Sequence, residues 1–353
     1  VGVLSGGGSS QVRSVGGAPV EIPLTSGAAA SFARVTYHAS SPLVAIRAIA
    51  PDAEVSFLAG DDPQAAAQAA RGADAVIVFA TQWTTEAQDA ETLSLPNDQD
   101  ALIAAVAAAN PNTAVVLETG GPVLMPWIEA APAVVQAWYP GQRGGEAIAR
   151  VLFGQVNPSG RLPITFPRSA DQPPRPTVPG LEALKASDVA SNAGSGSAEA
   201  FQPFPVDYPE GSDVGYRWYE REARRPLFPF GHGLSYTRFQ YADLRIEGGE
   251  RLTVSFDVTN VGDRAGTDVP QLYVSPQEAG APRRLAGWSR LTLQPGEMRR
   301  VSIAAEPRIL AEYDTAARGW TIAEGDYRVR IGRNALDEEL SGEATLSPQR
   351  LQP

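Results

Sequence analysis

Residues 73–96 read ADAVIVFATQWTTEAQDAETLSLP, an apolar run that opens into a loop carrying Glu86, Asp89 and Glu91 and no basic residue. Carboxylates at such a place are either solvated turn residues or groups that move protons. In open α/β sheets, ligands bind beyond the carboxyl ends of the strands, and Glu86 follows directly on such an end. Other chemistries have little to work with. There are no cysteines and only two histidines, His38 and His232, so thiolate and His-rich metal sites are excluded. No G-x-S-x-G elbow presents a nucleophilic serine. The glycine run SGGGSS at residues 5–10 matches no phosphate-binding motif and has no lysine after it; a tight turn is the simpler account. Acid–base chemistry in this chain falls to carboxylates, and no cofactor is implied.

The bulk numbers exclude further classes. Lys and Arg total 29 against 40 Asp and Glu, a net charge of −11 over 353 residues. Nucleic-acid binding rests on clustered cations, so it is not expected. No stretch approaches the roughly 18 apolar residues of a membrane span. With 43% hydrophobic residues the chain can bury real cores, and its length suggests two or three domains. It opens VGVLSGGGSS with neither methionine nor signal peptide, as a fragment or a processed chain would.

The elements that would position the acidic loop follow from periodicity. Between about residues 40 and 155, helical and strand patterns alternate. In GDDPQAAAQAARGADAVIVFA, Asp62 suits an N-cap, Pro63 the first helical turn and Gly72 the position after the helix. Residues 75–80 then form a strand, expected to be buried on both faces. An Ala-rich helix ending at Asn110-Pro111 follows, then the strand TAVVLET, a short helix VLMPWIEAA, the strand AVVQAWY and a helix stopped at Gly154. Strands alternating with helices imply a parallel α/β sheet. Residues 168–210 are rich in Pro, Gly and Ser, as a linker or mobile loop is. From residue 240, short alternating runs such as LTVSFDVTN and DYRVRIG, separated by turn signals, imply an antiparallel β-sandwich. The expected organisation is an α/β domain at 1–168, a linker at 169–235 and a β-sandwich at 236–353.

The stretches WTTEAQDAETLSLP, GGPVLMPW, AWYPGQRGGEAIARVLFGQVNPSGRLPITFP, VGYRWYE, PLFPFGHGLSYT and NVGDRAGTDVPQLYV come in the order seen in glycoside hydrolase family 3. The chain resembles the C-terminal part of a β-glucosidase of that family: the parallel-sheet α/β sandwich plus a fibronectin type III-like domain, without the N-terminal barrel. The resemblance implies a retaining, exo-acting enzyme that removes terminal β-D-glucosyl residues. Such enzymes need a nucleophile and an acid/base, both carboxyl groups. By resemblance the nucleophile is an aspartate of the barrel, outside this chain. The acid/base is a glutamate in a pattern close to E-G-x-D-R-x-x-L-x-L-P, which places it at Glu86. Ala87 stands where that pattern has glycine and Ala90 where it has arginine, while Leu93, Leu95 and Pro96 match. Trp83, three residues earlier, either stacks on a sugar face or packs in the core. Asp89 is read as stabilising the loop and Glu91 as solvated. Trp127, Trp138 and His232 are read as structural, His38 as structural or solvated, and Phe201 and Phe204 as candidate aglycone contacts of the long loop. The implied partners are the barrel, as domain or separate chain, and a β-glucoside or oligosaccharide; the implied location is periplasmic or secreted. A non-catalytic carbohydrate-binding or scaffold module is the alternative reading.

Overall fold

The structure, a computed structural model, describes residues 2–7, 20–25, 33–86, 90–181, 204–277, 280–316 and 318–352. They fall into two units. The first comprises Val1–Gln155 with Ser169–Asp171 and Arg175–Tyr208, and the second comprises Val156–Arg168, Gln172–Pro174 and Pro209–Pro353.

In the first unit, chain order runs β1 (Val3–Ser5), β2 (Val20–Pro23), β3 (Arg34–His38), α1 (Pro42–Ile49), α2 (Pro63–Ala70), β4 (Val76–Gln82), α3 (Gln99–Ala109), β5 (Thr113–Thr119), β6 (Ala133–Gln136) and α4 (Gly144–Leu152). Local chemistry sets the helix ends. Asp62 accepts the N–H groups of Gln64 and Ala65 at the start of α2, with Pro63 in its first turn. Asn110 ends α3 and donates to the carbonyls of Ala70 and Ala73 at 2.8 and 2.7 Å, which ties α3 to the end of α2. Gly154 adopts φ 67°, a left-handed turn open to glycine, just past α4.

Strands β4, β5 and β6 form a parallel sheet with β5 in the centre. Central β5 is buried almost throughout. Strand β4 was expected to be buried on both faces; it lies instead at the edge, with buried and half-buried residues alternating. β1, β3 and β2 make a separate antiparallel sheet, and Val3 of β1 packs with Val116 of β5 and Ile148 of α4. The short helix expected over VLMPWIEAA is a run of turns, with Ile128 bonded to Met125 and Ala131 to Trp127. Pro126 disfavours helical backbone in the residue before it.

The second unit holds α5 (Tyr216–Arg221), β7 (Phe239–Glu247), β8 (Thr253–Asn260), β9 (Gly266–Asp268), β10 (Gln271–Pro276), β11 (Arg284–Trp288), β12 (Leu291–Leu293), β13 (Met298–Ala304), α6 (Pro307–Leu310), β14 (Glu312–Asp314), β15 (Gly319–Ile322), β16 (Gly325–Gly332), β17 (Leu340–Leu346) and β18 (Gln349–Leu351). Sheets β11-β10-β16-β17 and β13-β8-β7 are antiparallel. Alternation along β8 sends Val254, Phe256 and Val258 into one core with Leu272, Val274, Val329 and Ile331. The expected fold class, a parallel α/β layer followed by an antiparallel sandwich, is the fold observed.

Val156–Arg168, attached to the α/β layer in the sequence reading, is stitched into this second unit. Leu162 donates to the His232 carbonyl and receives from Gly231, and Phe166 bridges Phe228. Arg161 reaches the fully buried Asp268 at 2.7 Å, and Asp268 also accepts the Tyr241 hydroxyl at 2.6 Å.

Candidate active site

Strand β4 delivers the chain to the acidic loop, and side chains from elsewhere hold its exit. Gln99, the first residue of α3, accepts the Thr81 N–H at 2.8 Å and donates to the Thr81 and Pro96 carbonyls at 2.8 and 2.7 Å. One amide thus pairs backbone groups of an edge strand, which would otherwise need solvent or another strand, and ties them to the point where the loop returns. Leu93 accepts from Leu124, and Leu95 is buried. Asn97 and Asp98 then turn the chain into α3 through consecutive left-handed conformations, φ 58° and 54°.

Tyr139 holds the other side. Its hydroxyl receives the Thr84 N–H, donates to the Gln82 carbonyl and lies beside Thr84 Oγ1, each at 2.8 Å. Trp138, directly before it, has φ 55°, an uncommon conformation for a bulky residue. Burial pushes the Tyr139 phenol upward, so it stays neutral and keeps a proton to donate.

Gly6 and Gly7 lie over this exit. Gly7 donates its N–H to the Thr84 carbonyl at 2.9 Å. A Cβ on Gly7 would overlap Thr85 Oγ1 and the Trp83 ring, and one on Gly6 would sit 2.8 Å from the Tyr139 ring. Only glycine permits this approach. The glycine run therefore serves close packing against the β4 exit at its first two positions; residues 8–10 lie outside the described residues.

Glu86 follows at a turn and is exposed. Trp83 is half-buried; its indole N–H and the Thr85 hydroxyl are buried with no hydrogen-bond partner among the described residues. Asp89, like Ala87 and Gln88, lies outside the described residues, and Glu91 is exposed. Trp127 is buried and donates to Asp100 at 2.8 Å. His38 is buried in β3, and His232 stacks on Phe228 with ring centroids 5.0 Å apart. Burial, then the Arg161 charge, lowers the His232 pKa. Phe204 packs its ring on Gly180, while Phe201 and the rest of 182–203 are outside the described residues.

Sequence reasoning passed over one carboxylate. Glu118, next to last in β5, is 3% exposed and accepts the Leu4 N–H at 2.7 Å. Desolvation raises its pKa to about 7, the Leu4 hydrogen bond opposing the shift. The signal was there: TAVVLET is an acid in an apolar strand, two residues from Val116 and so on the same face. Tyr139 was also missed, because its partners lie 55 and 57 residues earlier.

The chain matches the glycosyl hydrolase family 3 C-terminal domain over residues 2–236 and a fibronectin type III-like domain over 268–335. It is 42% identical over 302 residues to β-glucosidase B of Emericella nidulans, covering 82% of this chain and 34% of that protein. Among solved structures it resembles DesR, a β-glucosidase from Streptomyces venezuelae crystallised with D-glucose, at 38% identity and TM-score 0.69 over 81% of this chain and 35% of that one. It also resembles the β-D-glucoside glucohydrolase of Trichoderma reesei at 28% identity and TM-score 0.74, over 88% of this chain and 45% of that one. The chain spans about a third of the first relative's length. On the match over residues 2–236, joined to a fibronectin-like domain and an acid-bearing loop at the sheet's carboxyl edge, the chain belongs to glycosyl hydrolase family 3.

Proposed function

We propose that this chain is the α/β and fibronectin-like part of a retaining, exo-acting β-glucosidase, and that Glu86 is its general acid/base. The cleft is shared with an N-terminal barrel, as domain or partner chain, which carries the aspartate nucleophile. The observation that carries the reading is the held exit of β4: Tyr139 and Gln99 pin both sides of the loop root, and Glu86 lies two residues beyond Thr84. Retaining hydrolysis uses the acid first to protonate the leaving-group oxygen while the nucleophile forms a glycosyl–enzyme bond. The same carboxylate then takes a proton from the water that breaks that bond. Glu86 is exposed in this chain, and a barrel packed against the loop would add the burial that favours a protonated general acid. Trp83 lines the sugar site beside it. The wider setting is periplasmic or secreted.

The test is Glu86→Gln in the protein completed by its barrel. Turnover of phenyl β-D-glucoside, which needs protonation of its leaving group, should fall by about 100- to 10,000-fold. Turnover of 2,4-dinitrophenyl β-D-glucoside should fall far less in the glycosylation step. Equal losses on both substrates would remove Glu86 from the role.

A further inference from the structure

We propose that Glu118 is a positioning residue for Glu86, acting at a distance through β1 and the Gly6–Gly7 segment; this rests on the acid/base reading above. β1 has three residues and lies at the edge of its sheet. Two grips hold it over the parallel sheet. Val3 packs with Val116 and Ile148, and the Leu4 N–H is received by Glu118 Oε2 at 2.7 Å. Val116 and Glu118 are two residues apart on central β5, so both grips come from one face of one strand. A carboxyl group buried at such a place costs free energy unless it is hydrogen-bonded; here it receives the strand that crosses it.

Three residues after Leu4, Gly7 bonds the Thr84 carbonyl at 2.9 Å and packs on Trp83 and Thr85. Glu86 is the next residue. Contact therefore runs from the Glu118 carboxylate through the backbone of residues 4–7 to the root of the acid loop, entirely within the first unit. The effect of Glu118 on catalysis passes through the placement of Thr84 and Thr85. Displacing a reacting group by about 1 Å can cost about 100-fold in rate.

Glu118→Ala, Glu118→Gln and Gly7→Ala are made in the barrel-completed protein, with Glu86→Gln assayed in parallel. Glu118→Ala removes the acceptor for Leu4 and should lower kcat on phenyl β-D-glucoside by about 10- to 100-fold. KM on phenyl β-D-glucoside should stay within about twofold, and the loss of kcat/KM on 2,4-dinitrophenyl β-D-glucoside, which reports the glycosylation step alone, should be much smaller. Glu118→Gln keeps a carbonyl oxygen facing Leu4 and should restore kcat to within about threefold of wild type. Gly7→Ala, at the far end of the same path, should repeat the leaving-group signature and carries the test if Glu118→Ala does not fold. Equal losses on both substrates, a Gln variant as impaired as the Ala variant, or an unimpaired Gly7→Ala would each overturn the proposal. If Glu86→Gln itself lacks the leaving-group signature, the acid/base reading fails first, and the positioning role falls with it. If only the Glu118 and Gly7 variants lack it, the positioning role alone is lost.

Discussion

Replacing Tyr139 with phenylalanine tests whether the β4 exit is held from a distance. The substitution removes one oxygen and keeps the ring that packs on Gly6. At the loop root two backbone groups lose their partner, the Thr84 N–H and the Gln82 carbonyl, each now bonded at 2.8 Å, and the Gly120 backbone also loses its bond to the hydroxyl. A net hydrogen bond is worth about 1 kcal/mol, so local opening should become easier by about 2 kcal/mol. That corresponds to a roughly 30-fold larger open population at the loop root. Amide hydrogen exchange reads it directly, because the Thr84 N–H is itself one of the released groups. Its exchange should accelerate by about that factor in Tyr139→Phe, while amides deep in β5, such as Val116, change by less than about threefold. A Thr84 amide exchanging at the wild-type rate would refute the reasoning: Tyr139 would then be packing beside the exit without holding it. Equal acceleration throughout β5 would mean that the hydroxyl supports the whole unit and not the loop root.

Glu118 makes stability depend on pH. Folding raises its pKa from 4.5 to about 7, so between these values the native state keeps a proton that the unfolded chain has released. The associated stability is complete below pH 4.5 and is lost as pH rises through 7, by about 3 kcal/mol in all. Unfolding of the α/β unit in wild type and Glu118→Gln at pH 5 and pH 8 should show that difference, and parallel pH profiles would contradict it. In the second unit, Asp268→Ala strips the partner from both Arg161 and Tyr241 in a fully buried site. It should destabilise that unit by about 3–5 kcal/mol, read by calorimetry; a change under about 1 kcal/mol would show that the site relaxes around the loss.

Local chemistry carried much of the architecture. Asp62, Pro63 and Gly154 bound their helices through groups within a few residues of themselves, and a cap acts in the same way wherever the helix is placed. Alternation along residues 253–260 defined a sandwich strand before any partner strand was known, because the side-chain period belongs to the strand itself. The acidic loop could be placed after a strand, and the resemblance pointed to Glu86 within it. Tertiary structure decided what sequence distance hides. Pairing order put β4 at the sheet edge, so the backbone of its last turn needs Gln99 and Tyr139 as partners. The stretch from Val156 to Arg168 follows helix α4 in sequence, yet its long-range hydrogen bonds go to residues between 227 and 236 and to Ala265, and its ion pair to Asp268. Glu118 looks in sequence like an acid at the end of a strand. It becomes a buried anchor only when β1, 114 residues earlier, lies across it. Periodicity states which way a side chain faces; only the packed chain states what it meets there, because desolvation and long-range hydrogen bonds exist only once distant segments are in contact.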